Sequence, residues 1–189
     1  MPTQLIKPRR FGDDRGWFCE PFNQRTFAGL GIDAAFVQDN HSYSQPVGVV
    51  RGLHFQTPPH AQAKLVRCIR GAIWDVAVDV RRGSPTYGQW VAAELSAENG
   101  LQLWVPVGFA HGFVTLAEGA EVEYKVTDFY APQCEGGLVW NDPTLALPWP
   151  LGAIAAVLSP KDEVLPKFAD FVSPFDYDGV PMASLQTFA

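Results

Sequence analysis

The sequence is poor in charge and has no extended basic run. Charged side chains make up 18% of its 189 residues, below the usual level of about a quarter, and the formal net charge is −6. The longest basic runs are the pairs Arg9-Arg10 and Arg81-Arg82. Proteins that bind nucleic-acid phosphates or an anionic membrane surface are usually basic. We therefore predict no nucleic-acid partner and no membrane partner.

Cysteine is scarce, and the apolar runs are short. The three cysteines, Cys19, Cys68 and Cys134, are an odd number, and no pair has the C-x-x-C spacing of zinc or thioredoxin-like sites. Hydrophobic stretches such as residues 151–158 are too short to span a bilayer. The first ten residues lack the apolar core of a signal peptide. These features predict a cytoplasmic protein with reduced thiols.

Turn-forming residues are abundant, with 17 glycines and 16 prolines. They separate short segments at the 8–12-residue spacing of a β-sandwich or barrel. In residues 72–81, alternation predicts that Trp74 and the valines face away from the series Ile73, Asp75, Ala77 and Asp79. Short helices are expected at residues 23–30 and within 158–169. We predict one all-β domain over residues 1–189, a jelly-roll or similar double-sheet barrel with a short C-terminal helical cover.

Two histidine segments favour a cupin-like barrel but not a metal site. The spacing Pro106-x-Gly108-x-x-His111 resembles the second cupin signature. Metal-binding cupins carry H-x-H in their first signature, whereas this chain has His54 followed by Phe and Gln. The nearby Lys64 would repel a divalent cation, and metal sites combine neutral imidazoles with anions. We therefore expect no metal and no other cofactor.

Six segments recur in the order found in one family. They are FVQDNHS at 36–42, VRGLHFQ at 50–56, QAKLVRC at 62–68, GFAHGF at 108–113, YK at 124–125 and SPKD at 159–162. Over most of its length the chain resembles the dTDP-4-dehydrorhamnose 3,5-epimerase family. The resemblance implies a metal-free cupin-fold homodimer whose substrate is dTDP-4-dehydro-6-deoxy-D-glucose, epimerised at C3 and C5 to dTDP-4-dehydro-L-rhamnose.

The resemblance also implies roles for individual residues. His54 is the expected base, oriented by Asp162, and Lys64 is the expected stabiliser of the enolate oxygen. Tyr124 is the expected proton donor on the opposite face. The remaining family positions are expected to contact substrate: Arg15, Glu20, Gln38, Asn40, Arg51, His111, Tyr130, Glu135 and Lys161.

The sequence leaves open the position of Arg51 relative to His54 and several alternative functions. Strict alternation puts Arg51 and His54 on opposite faces, so either Gly52 marks a bulge or Arg51 serves a site shared across a dimer. The main alternative function is a single-carbon epimerase of a related keto-sugar nucleotide. A metal-dependent cupin oxygenase and a non-catalytic cupin that binds sugar nucleotides are alternatives from other classes.

Overall fold

Two β-sheets stack face to face in the computed structural model, which describes residues 2–185 and 187–188. A two-stranded hairpin and one short helix, α1 (Gln24–Gly29), accompany them. The strands of the described residues are β1 (Gln4–Ile6), β2 (Arg10–Asp13), β3 (Gly16–Cys19), β4 (Gln38–Ser44), β5 (Val50–Gln56), β6 (Lys64–Arg70), β7 (Ala72–Asp79), β8 (Trp90–Ser96), β9 (Gln102–Val105), β10 (Phe109–Thr115), β11 (Ala120–Val126), β12 (Glu135–Gly137) and β13 (Thr187–Phe188).

The strand order confirms the predicted double-sheet jelly roll. One sheet has six strands in the order β13-β1-β9-β6-β11-β4, and the other has five in the order β12-β5-β10-β7-β8. Their neighbouring strands are antiparallel, except that β13 lies parallel to β1. The hairpin of β2 and β3 is separate from both sheets.

Three apolar clusters fill the spaces that this arrangement creates. The cluster between the sheets takes Ile73 and Ala77 from β7, as the alternation predicts. The opposite face of β7, with Val76 and Val78, packs under the chain that follows β12. The third cluster covers the outer face of the six-stranded sheet and includes Phe27 of α1. Helix α1 matches the helix predicted for residues 23–30.

The C-terminal cover is only slightly helical. The helix predicted within residues 158–169 is present as two 3-10 turns, Asp162–Val164 and Phe168–Asp170, separated by extended chain. Proline at position 166 explains the interruption, because proline disfavours helical backbone at the residue before it. No described helix is long and apolar enough to cross a membrane.

Candidate active site

The site lies between the sheets, where His54 of β5 meets the first C-terminal 3-10 turn. His54 Nε2 lies 2.5 Å from Asp162 Oδ1, and Asp162 is buried. Burial pushes the pKa of Asp162 upward, but hydrogen bonds with His54 and Ser159 outweigh it and hold the pKa below its ordinary value. An ionised carboxylate only accepts, so the Nε2–H of His54 donates a hydrogen bond to Asp162. In the neutral imidazole, the other ring nitrogen is then free to act as a base.

Lys64 begins β6 and reaches across to the same place. Its Nζ donates to the backbone carbonyl of His54 at 3.3 Å, and the residue is only 9% exposed. Burial lowers the pKa of Lys64 to about 8, with the charge of Asp75 opposing the shift. Lys64 is therefore still mainly an ammonium ion at neutral pH, close to the imidazole.

A second histidine–carboxylate pair lies deeper in the barrel. His111 is directly opposite His54 in the pairing of β10 with β5, and its Nε2 lies 2.8 Å from Asp75 Oδ1. Both residues are buried. Burial lowers the pKa of His111 despite the neighbouring carboxylate, so this imidazole is neutral. The sequence prediction included His111 but missed Asp75. The available signal was an acid between the apolar residues Ile73 and Ala77 on the inward face of β7.

Tyr124 faces the dyad from the opposite sheet. It lies on β11 between β4 and β6, with its ring against the cluster between the sheets. Burial raises the pKa of Tyr124 above its ordinary value. Its phenol therefore keeps its proton at neutral pH and can act as a donor. The predicted inward direction of Tyr124 is confirmed.

A bulge beside Gly52 resolves the conflict over Arg51. The pairing of β5 with β10 changes register between His111 and Phe113, so Arg51 and His54 line the same cavity. Gly52 has a φ of +124°, and a Cβ there would lie 2.6 Å from the Cα of Gly112. Only glycine fits this position. The first of the two alternatives, a bulge, is therefore the one that the structure has.

Two cavities meet at His54, Lys64 and Tyr124. One, of about 410 Å³, extends to Arg51, His111 and Lys161. The other, of about 250 Å³, has a lining of predicted contact residues: Gln38, Asn40, Tyr130 and Glu135.

Hydrogen bonds and an ion pair link these contact residues. Gln38 donates to Asn40 at 2.8 Å and accepts from the backbone nitrogen of Tyr130 at 3.1 Å. Lys161 pairs with Glu135 at 2.6 Å. The two cavities thus bring together most of the predicted site in one chain.

Two predicted contact residues lie elsewhere. Arg15 is at the tip of the β2–β3 hairpin, where its side chain is 89% exposed and pairs with Asp13 at 2.6 Å. Glu20 lines a separate cleft that includes Lys7 and Arg9. Neither residue lines the two cavities around His54 within this chain.

The described residues contain no group of three or more His, Cys, Asp and Glu side chains that could hold a metal ion. The groups that the cavity does bring together are an oriented imidazole, an ammonium ion and a neutral phenol. A base, an oxyanion stabiliser and an acid are the parts needed to move a proton at a carbon beside a carbonyl. The cavity therefore has the composition of an acid–base isomerase site.

Comparison with known proteins agrees with that class. A family model for dTDP-4-dehydrorhamnose 3,5-epimerase matches residues 3–170. The chain belongs to the dTDP-4-dehydrorhamnose 3,5-epimerase family. The relative from Pseudomonas aeruginosa is 58% identical over 88% of this chain and 91% of its own length, and the one from Sinorhizobium fredii is 54% identical over 93% and 89%.

Solved structures show the same fold. The Legionella pneumophila enzyme, in complex with dTDP-4-keto-L-rhamnose, is 46% identical, covers 93% of both chains and has a TM-score of 0.88. The Bacillus anthracis enzyme, with TDP and PPi bound, is 51% identical, covers 86% of this chain and 92% of its own, and has a TM-score of 0.84. A 3'-monoepimerase from Streptomyces bikiniensis is 36% identical, covers 88% and 84%, and has a TM-score of 0.82.

Proposed function

We propose that this protein epimerises dTDP-4-dehydro-6-deoxy-D-glucose at C3 and C5 to dTDP-4-dehydro-L-rhamnose. The observation that carries the proposal is the meeting of His54, Lys64 and Tyr124 in one cavity, with Asp162 holding the imidazole. Relatives more than half identical to this chain carry the name of that reaction.

The first step is removal of a proton from the carbon beside the C4 ketone. The unprotonated ring nitrogen of His54 takes the proton, and the electron pair moves onto the carbonyl oxygen to form an enolate. Asp162 accepts from Nε2, so it fixes the orientation of the ring and stabilises the imidazolium that forms. Because Asp162 is buried and its pKa is lowered, this support persists at neutral pH.

Lys64 stabilises the enolate oxygen. Its ammonium group is buried, and a charge in the protein interior acts more strongly than it does in water. The oxygen gains its charge as the carbon–hydrogen bond breaks, so the attraction is strongest in the transition state and lowers the barrier.

Tyr124 returns a proton to the face opposite His54. It approaches from β11 of the six-stranded sheet, whereas His54 approaches from β5 of the other sheet. Donation from that side inverts the carbon. His54 then releases its proton to solvent and Tyr124 regains one from solvent. The same two groups can then act on the second carbon, since C3 and C5 both flank the C4 ketone.

The nucleotide part of the substrate is held at the rim of the cavities. Arg51 and Lys161 provide cations for the diphosphate, and arginine suits phosphate through its forked donors. Tyr130 is 56% exposed, which leaves its ring available to stack on thymine. Gln38 and Asn40 offer amide groups to the same ligand.

The protein acts as a homodimer in which Arg15 and Glu20 serve the partner's substrate. Both residues lie outside the two cavities of their own chain, and the hairpin that carries Arg15 exposes Trp17 (61%) and Phe18 (65%). Large exposed aromatic residues are typical of interfaces.

The homodimer is tested by sedimentation velocity, which should give twice the chain mass. A monomer at working concentration would contradict the proposal. Phe18→Glu should shift the protein toward monomer, whereas Val172→Glu, at an exposed site (84%) elsewhere, should not.

The enzyme works in the cytoplasm without a metal. Its cysteines Cys19, Cys68 and Cys134 are free thiols, as suits a reducing compartment. Proton transfer at a carbon beside a ketone needs no redox partner. Activity should survive dialysis against a chelator, and loss of activity that added metal restores would contradict this part of the proposal.

The reaction itself is tested by the configuration of the product. NMR coupling constants of the keto-sugar product should show inversion at both C3 and C5. Unchanged substrate after prolonged incubation would contradict the proposed function. A competent dTDP-binding protein without turnover would instead be a non-catalytic member of the fold.

The second candidate is epimerisation at one carbon only. It is favoured by the likeness to the 3'-monoepimerase from Streptomyces bikiniensis and to the 4-keto-6-deoxy sugar epimerase of novobiocin biosynthesis, which is 38% identical with a TM-score of 0.81. The same product analysis separates the candidates, because a single-carbon enzyme would invert C3 or C5 alone.

A further inference from the structure

Asp75 is a buried carboxylate with an incomplete set of partners. The residue is 0% exposed in the middle of β7, and Oδ1 accepts from His111 Nε2 at 2.8 Å. Oδ2 is also buried and has no hydrogen-bond partner among the described residues. Burying a carboxylate is costly unless nearby groups compensate its charge. Its retention here requires such a group.

The compensating charge is on Lys64, on the opposite sheet. Asp75 is the source of the favourable electrostatic interaction that opposes the burial of the Lys64 ammonium. The other groups around Lys64 give less help. The titratable groups that share its two cavities are His54, Arg51, His111, Tyr124, Tyr130, Glu135, Lys161 and Asp162. Only Glu135 of β12 and Asp162 are acids. Glu135 is paired with Lys161 at 2.6 Å, and Asp162 is hydrogen-bonded to His54.

We propose that Asp75 is a positioning residue for the reaction, which keeps Lys64 cationic and holds His111 as the neutral tautomer protonated at Nε2. The inference rests on the proposed function. Because Nε2 donates to Asp75, the neutral ring of His111 keeps a lone pair on Nδ1, which can accept a hydrogen bond from a substrate hydroxyl. Asp75 touches neither the reacting carbons nor the ketone, and it acts through the two side chains that do the contacting.

The pH profile separates this role from a purely structural one. Activity requires the Lys64 ammonium, so it declines as the pH rises through the Lys64 pKa of about 8. In Asp75→Asn, burial acts on Lys64 without the opposing charge, so that pKa falls further. A fall of one unit lowers the protonated fraction roughly fivefold at pH 8 and hardly at all at pH 6. The ratio of wild-type to variant kcat should therefore rise with pH.

The matched control is Asp142→Asn. Asp142 is also a buried carboxylate, and it accepts from the backbone nitrogens of Thr144, Leu145 and Phe168 outside the cavities. This variant should lose thermal stability while its kcat ratio stays flat across the pH range. The KM for the sugar nucleotide should change less than kcat in Asp75→Asn, because the diphosphate and base contacts are intact.

The experiment measures kcat from pH 6 to pH 9 for the three proteins with the keto-sugar nucleotide. A ratio that is independent of pH for Asp75→Asn would overturn the proposal. Where that variant does not fold, Asp75→Ser removes the same charge with less bulk and is subject to the same criterion. Activity of the wild-type enzyme in the same assay establishes the proposed function separately, so failure of one is distinguishable from failure of the other.

Discussion

Asp75 and Asp79 lie four residues apart on the same face of β7, and both are fully buried. They differ in how completely their carboxylates are hydrogen-bonded. Asp79 accepts from the backbone nitrogen, Nε and Nη2 of Arg81 and from the hydroxyls of Ser84 and Thr86, at 2.6–3.0 Å. Burial pushes its pKa upward, but these bonds outweigh it and lower the pKa. Within the described part of the chain, Asp75 has one side-chain hydrogen bond, from His111, and its Oδ2 has no partner.

The difference separates a structural ion pair, Asp79 with Arg81, from a buried carboxylate that we propose positions groups of the candidate site. Arg81 also donates to Asp178 and to the carbonyl of Val180, so the Asp79 cluster ties the C-terminal segment to the barrel. Both oxygens of Asp79 already accept hydrogen bonds within the protein, which leaves little capacity to bind a ligand. By contrast, one oxygen of Asp75 has no hydrogen-bond partner among the described residues, and the nearby Lys64 has a pKa of about 8. Perturbed titrating groups of this kind are concentrated at functional sites.

The largest expected effect is the loss of activity when His54 is replaced. His54→Ala removes the proposed base, and the rate of product formation should fall by about 10³-fold, within the range for loss of a general base. Binding of dTDP, measured by calorimetry, should be nearly unchanged, because in the proposed mechanism the ring acts on the sugar and not on the nucleotide. A fall of less than tenfold would assign the base to another residue.

Asp79→Ala should lower the stability of the protein and leave its activity nearly unchanged. Removal of one partner from a buried ion pair typically costs about 3–5 kcal/mol, because it leaves the other charge uncompensated. The free energy of unfolding, from denaturant titration, should fall by that amount. The kcat per mole of folded enzyme should stay within about twofold of wild type, and a large loss of kcat at full folding would remove the distinction between the two aspartates.

Lys64→Ala should instead lower activity, in contrast to Asp79→Ala. Loss of an oxyanion-stabilising group typically costs about 10²–10³ in kcat. Steady-state kinetics should show that loss with little change in KM, since the contact strengthens only in the transition state. An increase in KM at unchanged kcat would make Lys64 a binding residue instead.

Tyr124→Phe should have a smaller and more selective effect. In the proposed mechanism, proton removal by His54 does not need the phenol of Tyr124, but inversion of the carbon does. Net epimerisation should therefore fall by about tenfold more than exchange of the substrate's own proton with solvent, a difference within the span for loss of a general acid. Equal loss of the two rates would contradict the donor role.

The sequence predicted the fold and most of the residues that line the two cavities, because both leave local patterns. Alternation identified the inward faces of β7 and β11, and ordered motifs identified His54, Lys64 and Tyr124. The bulge at Gly52 was only one of two options, because its cause is the close approach of Gly112 on another strand.

Asp75 was missed for a related reason. Its partners, His111 and Lys64, lie on strands that pack against β7 only in the folded barrel. The positions of Arg15 and Glu20 depend in the same way on tertiary structure, and in our proposal on a second chain. Long-range pairing of this kind is not encoded in the periodicity of any one segment.

The central claim is that His54 removes protons at both carbons beside the ketone. Its most direct test is incubation of the keto-sugar nucleotide in deuterated water, with mass spectrometry and NMR to locate the label. The account predicts deuterium at both C3 and C5 with the wild-type enzyme and at neither carbon with His54→Ala. No label with the wild-type enzyme, or undiminished label with the variant, would contradict it.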